Sequence, residues 1–222
     1  MEIIDKALRE GRTTLSEYES KQLLAAYQIP VTREFLVTNV DELGRAAHRV
    51  GYPLVLKGCS AAVAHKTEQG LIRLDIRDDR EAEIAFEHLM DLLDGPDRAV
   101  LVQEMVKCQR ELVMGLTRDP QFGPCVMFGL GGIFTEILED VAFRVAPLSR
   151  TTALEMMQEI RARKILGPVR GLAAANVEVL SEMLIALGRI GLEHDRIKEI
   201  DVNPVMLTQG NPVAADALVV LS

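Results

Sequence analysis

Apolar residues recur at two different spacings along the first hundred residues. Helical spacing predicts amphipathic helices in residues 14–28, 41–50 and 79–93, and Thr14 with Glu17 has the spacing of a capping box at the start of the first. Short apolar runs bounded by turn residues predict strands at 35–37, 52–57 and 71–76. A short amphipathic helix is also expected at 3–9. This alternation predicts a layered α/β unit.

The second half of the chain is dominated by strand patterns. They fall at residues 99–106, 111–116, 124–128, 133–138 and 143–146 and are joined by short turns, which indicates antiparallel pairing. Helices are expected at 150–163 and 177–190, and the chain ends with strands at 197–202 and 213–219 around a turn at 209–212. The predicted fold class is therefore α/β with an antiparallel part, that is, α+β.

Composition excludes several classes of function. The net charge of −8 and the absence of tryptophan argue against nucleic acid as a partner. No apolar run reaches the roughly 20 residues that a membrane-spanning helix needs. The three cysteines, Cys59, Cys108 and Cys125, are odd in number and scattered, which is typical of a reducing compartment. We expect a cytoplasmic protein that binds neither nucleic acid nor membrane.

A phosphate-binding site is indicated where the strand 52–57 ends. Lys57 is followed by a loop of small residues that reaches His65. Small side chains let backbone N–H groups approach an anion, and a lysine adds a positive charge suited to phosphate. Histidine can accept a proton or a phosphoryl group near neutral pH. An ordinary strand-to-loop junction with solvated charges remains the alternative.

A magnesium site is indicated near the C-terminus. Strand alternation places Glu199, Asp201 and Asn203 on one face, and the returning chain brings Asp216 back among alanines and valines. An aspartate in such an apolar setting is costly to bury unless it is paired or bound to a metal. Carboxylate and amide oxygens suit Mg²⁺, which typically shares its coordination with substrate phosphates. The alternative is a salt-bridged edge strand that ends in an Asn-Pro turn.

Three further features are compatible with nucleotide binding. Backbone groups of the segment from Gln103 and Glu104 to Val106 could bond an adenine edge, and Glu111 is then available to ribose hydroxyls. Arg144 is a candidate phosphate clamp or, equally, a surface arginine. Neither GxxxxGK[ST] nor GxGxxG is present, so a nucleotide site would have to be of another kind.

Taken in order, these pieces resemble the ATP-grasp module of the ADP-forming acyl-CoA synthetases, and specifically their acetate–CoA ligase β subunits. The resemblance covers nearly the whole chain. It rests on the segments LSEYESKQLLAAYQIPV, YPLVLKGCSAAVAHKTEQG, VLVQEMV, ELVMGLTRDPQFGPCVMFGLGG, FRVAPL and EIDVNPV with the later DA.

The resemblance implies an ATP-grasp fold whose two lobes hold nucleotide between them. The smaller lobe would span about 28–103 and the larger about 104–222, with the helix at 14–28 packed on the larger. It implies these roles: Lys57 on the phosphates, Gln103, Glu104 and Val106 at the adenine hinge, Glu111 on the ribose, Asn203, Asp216 and Asp201 on Mg²⁺, and His65 with Arg144 in catalysis.

The implied reaction converts acyl-CoA, ADP and phosphate reversibly into a carboxylic acid, CoA and ATP. His65 would accept phosphoryl from a phosphohistidine on a CoA-binding α subunit, so the chain would be an acid–CoA ligase subunit that uses ATP/ADP and Mg²⁺. Two alternatives stay open: a nucleotide-sensing regulatory module like that of some protein acetyltransferases, and an ATP-grasp amide ligase.

Two positions depart from the family pattern. The family usually has two glycines after the acidic residue of its His-Lys motif, whereas Gly70 is followed here by Leu71. A glycine usually precedes the ribose-binding acid, and Arg110 occupies that place. Both positions lie in loops expected near the nucleotide, so both bear on full activity more than on the fold.

Overall fold

A computed structural model of the chain describes residues 1–59, 70–95, 97–132, 140–169 and 171–222, which form two compact units. The larger unit consists of Met1–Val31 and Lys107–Ser222, and the smaller unit of Thr32–Val106. The chain therefore leaves the larger unit after Val31 and returns to it at Lys107. The fold is α+β with antiparallel sheets. No described helix is both long and apolar enough to cross a membrane.

The chain begins with two helices of the larger unit, α1 (Glu2–Arg9) and α2 (Glu17–Ala26). The capping box of α2 is formed by Ser16 and Glu19 and not by the predicted Thr14 and Glu17. The Glu19 carboxylate accepts a hydrogen bond from the Ser16 N–H at 2.9 Å. The reason for the difference is tertiary: Thr14 forms a β-bridge with Val220, so its backbone stays extended and the helix begins later.

The smaller unit is a four-stranded antiparallel sheet covered by two helices. Its elements in chain order are β1 (Glu34–Val37), α3 (Val40–Val50), β2 (Leu54–Cys59), β3 (Ile72–Ile76), α4 (Asp79–Leu92) and β4 (Ala99–Glu104). The strand order is β1-β4-β2-β3. Leu54 and Leu56 of β2 pack with Val100 and Val102 of β4 against the apolar faces of both helices. This core covers one face of the sheet only.

The larger unit is built on a second antiparallel sheet. After β5 (Glu111–Asp119), β6 (Gly123–Leu130) and β7 (Val141–Val145) come α5 (Arg150–Glu159), a 3₁₀ turn (Arg163–Leu166), α6 (Val177–Glu193), β8 (Ile197–Thr208), β9 (Asn211–Ala214) and β10 (Leu218–Leu221). The strand order is β10-β8-β5-β6-β7, and β9 also pairs with β8. The core lies between this sheet and the helices α1, α2, α5 and α6.

Two predicted elements of the larger unit are wrong in extent. The helix predicted at 150–163 ends at Glu159, because the Asp140 carboxylate accepts hydrogen bonds from the N–H groups of Arg161 and Ala162, both at 2.7 Å, and the chain turns there. The strand predicted at 213–219 is two strands, β9 and β10. They pair with different halves of the long strand β8, so the chain must step sideways between them at residues 215–217. The strand predicted at 133–138 lies outside the described residues.

Candidate functional site

Lys57 lies on the face of the smaller sheet that the helices leave uncovered. It sits in the central strand β2, opposite Leu101 of β4 and Ile72 of β3, and it is only 6% exposed. Gln103 of β4 is opposite Val55 of β2, so alternation places Gln103 on the same face as Lys57. A buried ammonium needs compensating negative charge or acceptors. This face can therefore supply one positive charge and one amide to a ligand.

The predicted adenine hinge coincides with the boundary between the two units. Strand β4 ends at Glu104, and residues 105–108 belong to no helix or strand. Glu104 is held by Arg33: its carboxylate accepts from the Arg33 N–H at 2.8 Å, and its own N–H donates to the Arg33 carbonyl at 3.0 Å. Val106 is the last residue of the smaller unit. Because Glu104 is committed to Arg33, any backbone contact to a base falls to the residues after it.

The carboxylates predicted for ribose and metal lie on one face of the larger sheet. Gly115 of β5 is directly opposite Asp201 of β8, and Thr117 is opposite Glu199. Residues 111, 113 and 115 alternate onto that face, so Glu111 shares it with Asp201. The opposite face carries Leu116 and Ile200, which belong to the core. The larger unit thus separates an acidic face from an apolar one.

Asn203 sits where this strand is irregular. Between the pairs Met114–Val202 and Leu112–Val205, strand β5 has one residue and strand β8 has two, Asn203 and Pro204. This is a β-bulge, which interrupts alternation and redirects a side chain. Asn203 is exposed beside the half-buried Asp201. Alternation holds as far as Asn203, and the extra residue Pro204 returns Val205 to the core side of the sheet.

Asp216 joins the group from the step between β9 and β10. The Ala215 N–H donates to the Pro204 carbonyl at 3.0 Å, which places the step beside the bulge. Burial, together with the negative charges of Glu199 and Asp216, raises the pKa of Asp201 to about 6. Asp201 and Asp216 are therefore close enough to repel each other.

This arrangement fits a magnesium ion that substrate phosphates help to hold. A divalent cation would relieve the repulsion between crowded carboxylates, and Asn203, Asp216 and Asp201 present the hard oxygen donors that Mg²⁺ prefers. Within the described ranges, no group of three or more His, Cys, Asp or Glu side chains is arranged to hold a metal alone. A site with few protein ligands is the kind that Mg²⁺ shares with a nucleotide.

Gly115 is a position of close backbone approach on the acidic face that sequence analysis missed. A Cβ there would lie 2.9 Å from the Ile200 carbonyl oxygen and 3.3 Å from the end of the Met127 side chain, directly opposite Asp201. Any side chain at this position would crowd the backbone of β8. The available signal was a glycine inside an otherwise apolar strand, which marks close approach of backbone or ligand.

Arg144 is not brought together with the carboxylates. It is opposite Val126 of β6, and Val126 belongs to the core side of the sheet, whereas its neighbour Phe143 is on the acidic face. Arg144 instead forms an ion pair with Glu159 of α5 and donates to the Phe143 carbonyl at 2.8 Å. Alternation thus directs it away from Asp201, and we leave it out of the phosphate site. His65 lies outside the described residues.

Arg110, one of the two departures from the family pattern, has a clear structural role. It is 5% exposed and its guanidinium donates to the carbonyls of Ile165 at 2.8 Å and Gly167 at 3.0 Å, and also to that of Ala173. It therefore ties the start of β5, where Glu111 lies, to the segment around the 3₁₀ turn. Sequence analysis flagged the position but not this use.

Comparison with known proteins identifies the family of this chain. The model of the ATP-grasp domain family matches residues 6–221. The β subunit of ADP-forming acetate–CoA ligase I from Pyrococcus furiosus is 42% identical over 99% of this chain and 97% of its own length. The chain belongs to the ATP-grasp family of ADP-forming acetate–CoA ligase β subunits. ADP-forming acetate–CoA ligase I from Archaeoglobus fulgidus is 38% identical over 99% of this chain but only 33% of its own length. The family thus includes both separate subunits and longer, fused chains.

Solved structures extend the match to the whole fold of this ATP-grasp chain. Acetyl-coenzyme A synthetase 1 of Ca. Korarchaeum cryptofilum, in complex with coenzyme A, Ca-AMPCP and HgCl⁺, superposes with a TM-score of 0.94 at 38% identity over 100% of this chain and 99% of that one. The same enzyme with coenzyme A and Mg-AMPPCP has its phosphohistidine segment pointing towards the nucleotide binding site, and it matches with a TM-score of 0.89 at 38% identity over the same shares.

Proposed function

We propose that this chain is the nucleotide-binding β subunit of an ADP-forming acyl-CoA synthetase. It binds Mg-ADP or Mg-ATP and couples cleavage of an acyl-CoA thioester to ATP formation. In the reversible reaction, acyl-CoA, ADP and phosphate give a carboxylic acid, CoA and ATP. The observation that carries the proposal is the acidic face of Glu111, Asp201, Asn203 and Asp216 in a chain 42% identical to such a subunit over nearly its whole length.

Within the site, each group has a distinct task. Lys57 neutralises charge on the phosphates, Glu111 accepts from ribose hydroxyls, and Gln103 with the backbone near Val106 binds the base. When bound, Mg²⁺ supplies charge neutralisation for the transferred phosphoryl group, and Asn203, Asp216 and Asp201 would hold it. Phosphoryl transfer depends on positioning and electrostatics more than on covalent chemistry by the protein. His65 is proposed to accept the phosphoryl group between the partner's histidine and ADP.

The partner is proposed to be a CoA-binding α subunit that carries the primary phosphohistidine. The relative with coenzyme A, Mg-AMPPCP and a phosphohistidine segment supports this division of labour, as does the separate β subunit of Pyrococcus furiosus. The three free cysteines support the cytoplasm as the location. The relatives named above give no support to a regulatory, non-ligase module.

The test is ATP formation by the complex of this chain with its CoA-binding subunit. Acetyl-CoA, ADP, phosphate and Mg²⁺ are supplied, and ATP is measured; we expect ATP only when both subunits are present. A complex that makes no ATP while the chain still binds nucleotide contradicts the proposal.

Labelling of the chain itself tests the phosphoryl step. With γ-labelled ATP we expect acid-labile radiolabel on the chain, and we expect it to vanish in His65→Ala. A chain that binds ATP but takes up no acid-labile phosphate would instead be a nucleotide sensor.

A further inference from the structure

A fully buried ion pair lies in the N-terminal helix α2. Lys21 Nζ is 2.8 Å from Glu17 Oε1, and both side chains are 1% exposed. The two residues are one helical turn apart, a spacing that surface helices also use. On a surface this pair would cost little to form, whereas burial removes both charges from water at a cost of several kcal/mol per ion. Stabilisation of the helix alone does not account for a buried pair.

The ammonium group reaches beyond its own helix. Lys21 Nζ donates to the Ala215 carbonyl at 3.3 Å, 194 residues along the chain. Ala215 is the residue immediately before Asp216, in the step between β9 and β10. The lysine therefore contacts the backbone that carries a proposed magnesium ligand.

The same step is fixed at two other backbone atoms. The Ala214 N–H donates to the Pro30 carbonyl at 2.8 Å, from the segment that follows α2. The Ala215 N–H donates to the Pro204 carbonyl at 3.0 Å, beside the bulge that carries Asn203. The N-terminal segment and the bulge thus both bond the chain as it enters the step, and Lys21 bonds the carbonyl that follows.

We propose that Lys21, oriented by its ion pair with Glu17, is a positioning residue for the magnesium site. It fixes the backbone at Ala215 so that Asp216 faces Asn203 and Asp201. The inference rests on the proposed function, since it assigns to the N-terminal helix a role in metal and nucleotide binding. Lys21 touches neither ligand and acts only through Asp216.

The test compares metal affinity in two matched variants of the full chain. The double variant Glu17→Gln with Lys21→Met removes both buried charges, so that no uncompensated ion is left behind. The control is Arg12→Met, which breaks the half-buried pair between Arg12 and Glu19 at 2.7 Å in the same N-terminal segment. Arg12 has no hydrogen bond or ion pair with the described residues of the step. Mn²⁺ binding in the presence of ADP is measured by electron paramagnetic resonance, and unfolding is measured without metal.

We expect the double variant to bind Mn²⁺ about five- to twentyfold more weakly, as for loss of one charged hydrogen bond that orders a ligand. The control should bind within a factor of about two of the unaltered chain, as for an independent site. In the complex with its partner, a higher Mg²⁺ concentration should restore the double variant's maximal rate, because the defect is in affinity. A merely structural defect would lower the fraction of active protein, and Mg²⁺ would not restore it.

Unchanged Mn²⁺ affinity in the folded double variant overturns the positioning role and leaves the proposed function intact. If the unaltered chain binds no Mn²⁺ with ADP, the metal site of the proposed function fails first and this inference falls with it. Should the double variant not fold, Lys21→Arg takes its place, because it keeps the charge and alters the donor geometry. A smaller loss of Mn²⁺ affinity, about threefold, is then expected. Unchanged Mn²⁺ affinity in Lys21→Arg would overturn the proposal.

Discussion

The two units present their proposed ligand groups in opposite ways. In the smaller unit, Lys57 and Gln103 occupy ordinary positions of regular central strands, and strand alternation alone fixes their face. In the larger unit, Asn203 lies in a bulge and Asp216 lies in the step between two strands. The smaller unit thus presents its proposed groups from regular strands alone, whereas two of the three proposed metal ligands of the larger unit lie where the sheet is irregular. The larger unit therefore needs more side-chain contacts to hold the backbone of these irregular segments in place.

The buried contacts of the larger unit follow from this difference. Arg110, Lys21 and Asp140 all bond backbone atoms of irregular segments, and each is nearly inaccessible to solvent. Such segments cannot satisfy their own backbone groups within a regular ladder. Charged side chains are therefore buried to hold the irregular backbone.

The largest expected effect is on catalysis by the smaller unit. Lys57→Met should lower the rate of ATP formation by about 100- to 1000-fold, because the phosphates lose a preorganised positive charge. The free energy of unfolding should also fall, since the side chain is only 6% exposed and methionine leaves the partner of its ammonium group uncompensated. Steady-state rates of the complex and urea unfolding check both. Lys6→Met, at an exposed lysine, is the control and should leave the rate unchanged. An unchanged rate in Lys57→Met would show that Lys57 is not part of the site.

The next effect is on stability of the larger unit. Arg110→Gly, which restores the usual family residue, should lower the free energy of unfolding by about 2–4 kcal/mol, because three carbonyls lose a charged donor. Arg110→Lys keeps the charge but not the planar fork and should recover only part of this loss. Urea unfolding measures both variants. Equal stability of Arg110→Gly and the unaltered chain would show that the 3₁₀ segment does not depend on Arg110.

Gly115→Ala tests whether a side chain added on the acidic face affects both stability and metal binding. The new Cβ would lie 2.9 Å from the Ile200 carbonyl oxygen, so we expect a loss of about 1–3 kcal/mol of stability from overpacking. It should also weaken Mn²⁺ binding with ADP, because Asp201 is directly opposite. Differential scanning calorimetry and metal titration check the two effects. Gly44→Ala, in α3 of the smaller unit with open space at its Cβ, is the control: it should raise stability by about 0.5–1 kcal/mol, because alanine favours the helix, and leave Mn²⁺ binding unchanged.

The smallest expected effect is on the pH dependence of stability, at the pair between Arg12 and Glu19 in the larger unit. Burial alone would raise the pKa of Glu19, but hydrogen bonds from Arg12 and from the Ser16 backbone outweigh it and lower that pKa. The folded pKa is thus below the unfolded value of about 4.3, so this stabilisation is present above that pH and is lost as pH falls through the folded value. We expect a contribution of about 1 kcal/mol or less.

Arg12→Met measures that contribution. Its free energy of unfolding should be lower than that of the unaltered chain at pH 7, and the difference should shrink at a second, acidic pH below the folded pKa of Glu19. Urea unfolding at both pH values is the measurement. A difference that persists at low pH would mean that Arg12 stabilises the segment by packing alone.

Sequence reasoning located most helices and strands, and it failed where a contact with a distant segment sets the end of an element. The capping box moved from Thr14 to Ser16 because Thr14 pairs with Val220, and the helix at 150 ended early because Asp140 binds the turn beyond it. Arg144 was a candidate clamp until the pairing with Val126 showed which face it occupies. Each failure involved a contact between residues far apart in sequence, which local periodicity does not record.

The sequence by itself determined the layered alternation of the first half, the antiparallel strands of the second, and the family, because periodicity and motif order are local properties. It also nominated the acids and the lysine of the site. Only the tertiary structure decided where the proposed oxygen ligands lie relative to one another. The bulge at Asn203 and the step at Asp216 arise because β8 pairs with three other strands. The register of that pairing is set by packing between distant segments, which local periodicity does not record.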